Sequence, residues 1–322
     1  MKKLLRFALL PLIAAALHAA DGLPPFSWDR VPLNLHFGKR TTDLTDAEVE
    51  FVAGHSSLIA LEKGHGASVH GSTEAGIADS ARRITQRNPA AKVLFYFNAF
   101  INWSGYDAFK TYRPEWTLRT TTGEIVKHPG GTARPDPSNA EFREWWSEVV
   151  AKANRSAPLG GVFVDALPQA LTPALAKQVG DAKARAIVTG LREMLALTKR
   201  KLGPDRLVLV NGLRTTDFRE ILDWEGIDGV MIEHFGGFKT AAPTDIKADR
   251  QAEPSAFHRH KLAVPMQGIC LKDPVTDIVS HTHSPAQALQ PRNHFATELV
   301  PKGIHRHTAG IGKPTVTRRF VA

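Results

Sequence analysis

Short apolar runs that alternate with helix-like segments constrain this fold more than any other feature of the chain. The runs are rich in β-branched and aromatic residues, and polar or glycine-containing loops follow them. Six of them are clear, at residues 33–37, 58–61, 93–100, 161–167, 207–210 and 229–232, and a seventh candidate covers 262–269. Alternation of strands with helices predicts βαβ units and therefore a parallel sheet.

The segments between these runs carry helix signals. Thr45 and Ser72 are N-cap candidates for helices over 46–53 and 73–86, and Glu48 stands at the capping-box position after Thr45. Further helices are predicted over 139–154, 182–201 and 218–224. The helix over 139–154 has an apolar face, which we expect to pack on the sheet.

The choice between a barrel and an open nucleotide-binding sheet follows from the strands and the loops after them. The run Gly-Val-Phe-Val-Asp at 161–165 is apolar until its last residue, which indicates a strand covered on both faces. No glycine-rich dinucleotide or phosphate-binding motif follows a strand. The sequence therefore predicts the α/β class and a (β/α)8 TIM barrel, incomplete at its C-terminus because no further strand pattern is evident after about residue 273.

The N-terminus predicts export. Lys2, Lys3 and Arg6 precede an apolar stretch over 7–17, and small residues follow at Ala19 and Ala20, as in a secretory signal peptide. We therefore expect residues 1–20 to be removed and the protein to be periplasmic or secreted. The remainder divides into a TIM-barrel domain (21–272) and an atypical segment rich in His and Pro (273–322). Three origins are open for that segment: a disordered tail, an unusual closing segment, or the frameshifted remnant of the last strands, which we favour.

Charge and cysteine content limit the partners. One cysteine excludes an intrachain disulfide, and the net charge of +9 is scattered along the chain. In an exported protein such a surface fits an anionic cell envelope or an acidic polysaccharide at least as well as nucleic acid. We expect a monomer that binds a polysaccharide or oligosaccharide, with no nucleic acid, no cofactor and no stable membrane insertion after signal cleavage.

Two carboxylates stand where a barrel carries its chemistry, at the carboxyl ends of strands. Asp165 ends the fourth run, and Glu233 ends Gly-Val-Met-Ile-Glu in the sixth. Such a pair permits the separations of roughly 5 to 9.5 Å used in glycoside cleavage, one carboxylate as nucleophile or base and the other as general acid. Other polar and aromatic groups near strand ends are the candidate substrate-binding residues: Glu62, which is also the reserve carboxylate, Lys63, Asn98, Trp103, Tyr106, Asn211, Arg214 and His234.

Aromatic residues in the long loop after the third strand suit a sugar. Trp103, Tyr106, Tyr112 and Trp116 could stack on a pyranose, and packing within the loop is an equal alternative. The histidines do not have the spacing of a catalytic metal motif, so we predict no metal site. A non-catalytic glycan-binding barrel and, less favoured, a metal-dependent hydrolase remain alternatives to a glycoside hydrolase.

Four short motifs carry a family resemblance: Phe95-Tyr96-Phe97-Asn98, Arg134–Asn139, Gly161–Asp165 and Val230–Glu233. In this order they resemble an uncharacterised glycoside hydrolase family of TIM barrels, and more distantly the α-galactosidase and endo-α-1,4-polygalactosaminidase barrels. The resemblance implies cleavage of a polysaccharide or glycan with Asp165 as nucleophile and Glu233 as acid/base. It also implies that Asp136 caps the following helix or shapes the site. The chain departs from those barrels at its C-terminus.

Overall fold

A sheet of nine strands organises the part of the chain that the structure describes. The computed structural model describes residues 24, 33–211, 216–232, 262–265, 271–272 and 279–283. Seven strands lie parallel and side by side in chain order. They are β1 (Leu33–Gly38), β2 (Ser56–Leu61), β3 (Lys92–Asn98), β4 (Gly161–Asp165), β5 (Leu207–Asn211), β6 (Gly229–Ile232) and β7 (Leu262–Pro265). The six predicted strands and the seventh candidate are confirmed, with changes at their ends.

The remaining two strands extend the sheet beyond β1. Strand β9 (Val279–His283) pairs antiparallel with β1, and β8 (Leu271–Lys272) pairs antiparallel with β9. The sequence did not predict β9, because Val-Ser-His-Thr-His offers a single aliphatic residue. In a closed barrel a parallel eighth strand pairs with β1. Here the antiparallel β9 pairs with β1 instead, so the described strands are consistent with the predicted incomplete barrel. Of the two compact units of the chain, 1–288 and 289–322, the first contains every described residue.

Helices connect most of the consecutive parallel strands. They are α1 (Asp46–His55), α2 (Ala67–His70), α3 (Thr73–Arg87), α4 (Ala140–Ser156), α5 (Pro173–Val179) and α6 (Asp181–Leu202), with short 3-10 turns at Asp107–Thr111, Pro114–Trp116, Leu167–Leu171 and Thr216–Asp223. The capping box of Thr45 and Glu48 forms as predicted, and Ser72 caps α3. None of the described helices could span a bilayer.

The outer face of the sheet packs against these helices. Phe142, Trp146 and Val150 of α4 are buried in one cluster with Phe97 of β3. The Trp146 indole N–H also donates a hydrogen bond of 2.9 Å to the carbonyl of Asn98. Helix α4 is therefore fixed at the carboxyl end of β3 by both packing and a buried hydrogen bond.

The inner face of the sheet is curved. Its buried apolar side chains form a second cluster: Leu58, Ala60, Leu94, Tyr96, Phe163, Leu207, Leu209 and Met231. The ring centroids of His36 on β1 and Phe163 on β4 are 4.6 Å apart, although β2 and β3 lie between these strands. In a flat sheet, three strand spacings would separate them by about 14 Å. The sheet therefore curls into a half-barrel, with the inner side chains packing on one another.

A buried histidine ties the loops after β1 and β2 together. His65 is 1% exposed, its Nδ1 accepts the backbone N–H of Lys39 at 3.1 Å, and its Nε2 lies 2.9 Å from Ser80 Oγ on α3. The proton of the neutral ring is therefore on Nε2. The pKa of His65 is lowered to about 4, chiefly by burial; the charge of Asp43 opposes this, and the charges of His70 and Lys39 contribute to it.

We predict that the free energy of unfolding falls by about 3 kcal/mol between pH 6.5 and pH 4 because of His65. In this range the unfolded chain binds a proton at His65, whose unfolded pKa is about 6.5, while the folded chain does not. The measurement is urea unfolding across this pH range. His65→Gln lowers the free energy of unfolding at pH 7.5 but makes it depend less on pH. The same substitution at exposed His55 leaves the pH dependence as in wild type. Equal slopes in wild type and His65→Gln would contradict the assignment.

Candidate active site

Asp165 lies at the carboxyl end of β4 with four hydrogen-bond donors around its carboxylate. Oδ2 accepts from the Tyr96 hydroxyl and, at 3.4 Å, from Asn98 Nδ2. Oδ1 accepts from Asn211 Nδ2 at 2.8 Å and from the backbone N–H of Ala166 at 2.7 Å. A carboxylate offers about four lone-pair positions, so these donors suit a fixed, negatively charged group.

The fold places these donors through strand alternation. Tyr96 and Asn98 are two residues apart on β3, and Asn98 pairs with Asp165 in the register of β3 and β4. Asn211 ends β5, the neighbour of β4 on the other side. Because side chains on one face recur every two residues, three adjacent strand ends present polar groups to the same point.

The backbone after Asp165 is strained. Ala166 has φ 65° and ψ 12°, and it is the one non-glycine residue with positive φ in the described ranges. This left-handed conformation costs an alanine roughly 1–2 kcal/mol. It accompanies the N–H donation from Ala166 to the Asp165 carboxylate. Strain of this kind concentrates at functional sites, which favours this turn as part of one.

A second carboxylate follows β2, which is separated from β4 by β3. Glu62 Oε1 is 3.2 Å from His36 Nε2, and its Oε2 accepts a hydrogen bond of 2.9 Å from the Lys63 ammonium. Burial raises the pKa of Glu62, but the hydrogen bond and charge of His36 and the charge and hydrogen bond of Lys63 outweigh it. The pKa of Glu62 is therefore well below its usual range, so this carboxyl group is ionised at neutral pH.

Tyr96 lies between the two carboxylates. Burial raises the pKa of its phenol well above the ordinary value, and the negative charges of Asp165 and Glu62 raise it further. The Lys63 ammonium lies over its ring, 5.0 Å from the centroid. The same ammonium is 5.7 Å from the centroid of the Trp103 ring. The phenol thus stays protonated beside two anions and one cation.

These contacts show which predicted residues share one site. Asp165, Asn98 and Asn211 are linked by hydrogen bonds, and Glu62, Lys63 and Trp103 connect to them through Tyr96. The other predicted residues, Arg214, Glu233 and His234, lie outside the described residues, as does the predicted signal peptide.

The structure corrects the prediction for the aromatic loop. The Tyr106 side chain is 6% exposed, its hydroxyl donates to the Tyr96 carbonyl at 2.9 Å, and its ring packs on Phe95 and Phe97. Trp116 is also buried in the outer cluster. Tyr106 packs between the loop and β3, and Trp116 packs between the loop and α4, because large rings stabilise more by burial than by exposure to water. Tyr106 is therefore a core residue and not part of the substrate-binding surface.

Asp136 does not cap α4. Asn139 is the N-cap, and its side chain accepts from the N–H groups of Glu141 and Phe142. The Asp136 carboxylate instead accepts from Ser138 and forms an ion pair with Lys183 of α6. It therefore fastens the loop before α4 to α6.

Two members of the network were not among the predicted site residues. His36 ends the first predicted strand as a polar residue but was not taken as a site residue, and Tyr96 was read as part of an apolar strand. The signal that could have identified Tyr96 is its position two residues before Asn98, which puts both on one face of β3. The contact of its phenol with Asp165 depends on the curvature of the sheet and has no signature in the sequence.

Other features of the described part of the chain are separate from this site. A groove of about 870 Å³ lies between α4 and residues 107–116 and is lined by Trp145 and by Glu141, among others, but not by Asp165. Charged side chains line this groove too, but it lies beside the outer helix α4, whereas catalytic groups of barrels lie at the carboxyl ends of the strands, so we place the active site there. Among the described residues, one cluster has the side chains of a possible metal site, namely Asp43, His70 and Asp79. Ion pairs already engage it, between His70 and Asp43 and between Arg83 and Asp79.

Comparison with known families matches residues 85–264 to the family described as hypothetical glycosyl hydrolase family 15. This match covers more than half of the chain. No protein of curated function matches the sequence.

Solved structures with a similar fold include glycoside hydrolases. The glycoside hydrolase domain of PelA from Pseudomonas aeruginosa is 11% identical with a TM-score of 0.48, over 69% of this chain and 79% of that one. An α-amylase from Geobacillus thermoleovorans, complexed with acarbose, is 16% identical with a TM-score of 0.40, over 60% of this chain and 46% of that one. A Paenibacillus cycloisomaltooligosaccharide glucanotransferase, complexed with cycloisomaltoheptaose, is 11% identical with a TM-score of 0.47, over 74% and 39%. This chain spans less than half the length of the last two.

Proposed function

This chain belongs to hypothetical glycosyl hydrolase family 15, and we propose that it cleaves O-glycosidic bonds of a polysaccharide or glycan with Asp165 as its nucleophile. The observation that carries the proposal is the set of four donors around Asp165 at a strand end. A nucleophilic carboxylate has to be ionised and held in one orientation, and these hydrogen bonds favour both.

The proposed reaction proceeds in two steps. In the first, an Asp165 oxygen forms a bond to the anomeric carbon while the bond to the leaving oxygen breaks, and a general acid gives that oxygen its proton. In the second, water attacks the same carbon, the bond to Asp165 breaks, and the former acid takes a proton from the water. The product is a free sugar end with retained configuration, and Asp165 is a carboxylate again.

Glu62 does not fit the role of general acid. Because the pKa of Glu62 is well below its usual range, the group carries no proton to give at neutral pH. An anion beside Asp165 suits the stabilisation of positive charge on the sugar ring, or a hydrogen bond from a sugar hydroxyl. The proton has to come from another group.

Glu233 is the proposed general acid. It directly follows Ile232, the last residue of β6, and it is two residues after Met231, which belongs to the inner cluster. The two-residue alternation of a strand would bring a side chain at 233 to the same face as Met231. As general acid it would protonate the leaving oxygen while Asp165 attacks the anomeric carbon.

The wider assignments follow from the same proposal. Lys63, Asn98, Trp103, Asn211, Arg214 and His234 bind the substrate, and the strands belong to a (β/α)8 barrel that is incomplete at its C-terminus. The protein is exported by its N-terminal signal peptide. Mass spectrometry of the protein recovered from cell fractions, with cleavage expected after Ala20, tests export.

Reducing-sugar release from a panel of bacterial envelope and exported polysaccharides tests the function itself. The proposal expects release from at least one polymer. Binding of oligosaccharides without release from any polymer would favour a non-catalytic glycan-binding barrel instead.

We predict that Asp165→Asn lowers kcat by at least about 1,000-fold while leaving oligosaccharide binding largely intact, because the amide keeps the shape but loses the nucleophile. Initial rates of reducing-sugar release and calorimetric titration with the same oligosaccharide measure the two effects. Asp205→Asn, at an exposed aspartate, is the matched control and retains wild-type rates. Activity of Asp165→Asn within about tenfold of wild type would rule out the nucleophile.

We predict that the leaving group separates the roles of Glu233 and Glu62. Glu233→Gln slows cleavage of the natural glycan by about 100- to 10,000-fold but spares aryl glycosides, whose leaving groups need no proton. Glu62→Gln slows both substrates to a similar degree. Steady-state kinetics on both substrate classes provides the comparison. The opposite pattern would assign the general acid to Glu62.

A further inference from the structure

Tyr96 is the most enclosed polar side chain beside Asp165 and was not among the predicted site residues. Its side chain is 1% exposed, and its ring stacks on Phe163 with centroids 5.8 Å apart. The ring of His36 meets it edge-on at 6.0 Å, and the Lys63 ammonium lies over it at 5.0 Å. With its ring held by three neighbours, the hydroxyl has a fixed position, and a residue so enclosed does not touch substrate.

We propose that Tyr96 is a positioning residue whose hydroxyl holds the Asp165 carboxylate in the orientation and charge state that attack on an anomeric carbon requires. This inference rests on the proposed function. The hydroxyl donates to Asp165 Oδ2 and accepts from Asn98 Nδ2 at 3.4 Å. It thereby connects the donor groups on β3 into one unit.

The orientation of the Asn98 side-chain amide determines which groups donate and which accept in these hydrogen bonds. Its side-chain Oδ1 accepts the backbone N–H of Phe100 at 3.2 Å, so its NH2 group has to face Tyr96 and Asp165. Because Asn98 Nδ2 donates to the Tyr96 hydroxyl oxygen, the proton of that hydroxyl points to Asp165 Oδ2. The raised pKa of the phenol means that this proton stays on Tyr96 over the whole range in which a carboxylate titrates.

The second buried tyrosine of this region gives a matched control. Tyr106 is 6% exposed, and burial likewise raises its pKa well above the ordinary value. Its hydroxyl, however, donates to the backbone carbonyl of Tyr96 and not to Asp165. Tyr96→Phe and Tyr106→Phe therefore remove the same atom from similarly buried rings, but only the first removes a hydrogen bond to the carboxylate.

The test is NMR at neutral pH of protein labelled with 13C at aspartate carboxyl groups, with the Asp165 signal identified by its loss in Asp165→Asn. Because the Tyr96 hydroxyl donates directly to Oδ2, we expect Tyr96→Phe to change the carboxyl chemical shift of Asp165. Tyr106→Phe leaves this signal in place. An unchanged Asp165 signal in Tyr96→Phe, or an equal change in Tyr106→Phe, would overturn the proposal.

Kinetics supplies a second readout on the polysaccharide that releases reducing ends. We expect kcat of Tyr96→Phe to fall by about 10- to 100-fold with KM within about twofold. A change in KM alone would contradict a positioning role. If wild type releases no reducing ends but the NMR shift is present, the proposed function fails, while the hydrogen bond from Tyr96 to the carboxylate stands.

Discussion

The curvature of the parallel sheet is the constraint on which the rest of the structure depends. Contact between His36 on β1 and Phe163 on β4 requires that the inner face closes on itself. The apolar side chains of that face then bury one another, and the polar residues that end the same strands converge above them. Without the curvature, Glu62 and Asp165 would be two unrelated groups along an edge.

The carboxylates buried at these strand ends are stabilised by the hydrogen-bond donors and charges that pair with them. Asp165 is matched by four donors, and Glu62 by His36 and Lys63. Unpaired, each carboxylate would cost several kcal/mol in a half-buried aromatic environment. The two groups differ in kind, because Asp165 is held by neutral donors whereas Glu62 has a cation beside it. A carboxylate held by neutral donors keeps its charge for reaction with an electrophilic carbon, while one paired with Lys63 is better suited to bind or to stabilise charge.

Most of the fold could be predicted from the sequence, because strand and helix signals are local. The seven parallel strands and the capping box of Thr45 and Glu48 follow from apolar runs and cap residues. The position of Asp165 at a strand end was predictable for the same reason. Two partners of Asp165, Asn98 and Asn211, were predictable as well, because they also end strands. Tyr96 was not, since it reads as a strand aromatic, and the register of β3 with β4 together with the curvature of the sheet brings its hydroxyl to the carboxylate. Tyr106 was wrongly predicted to bind substrate, because its position in a loop does not reveal that its ring is buried in the core. Strand β9 was missed because pairing, and not composition, makes it a strand.

The central claim is that Asp165 forms the covalent bond to the sugar, and intact-protein and peptide mass spectrometry after reaction with a panel of 2-deoxy-2-fluoroglycosyl fluorides of both anomeric configurations tests it most directly. The account predicts that one reagent adds a single fluoroglycosyl group and that the modified peptide carries it on Asp165. Labelling of Glu62 or of another carboxylate in its place would contradict the account.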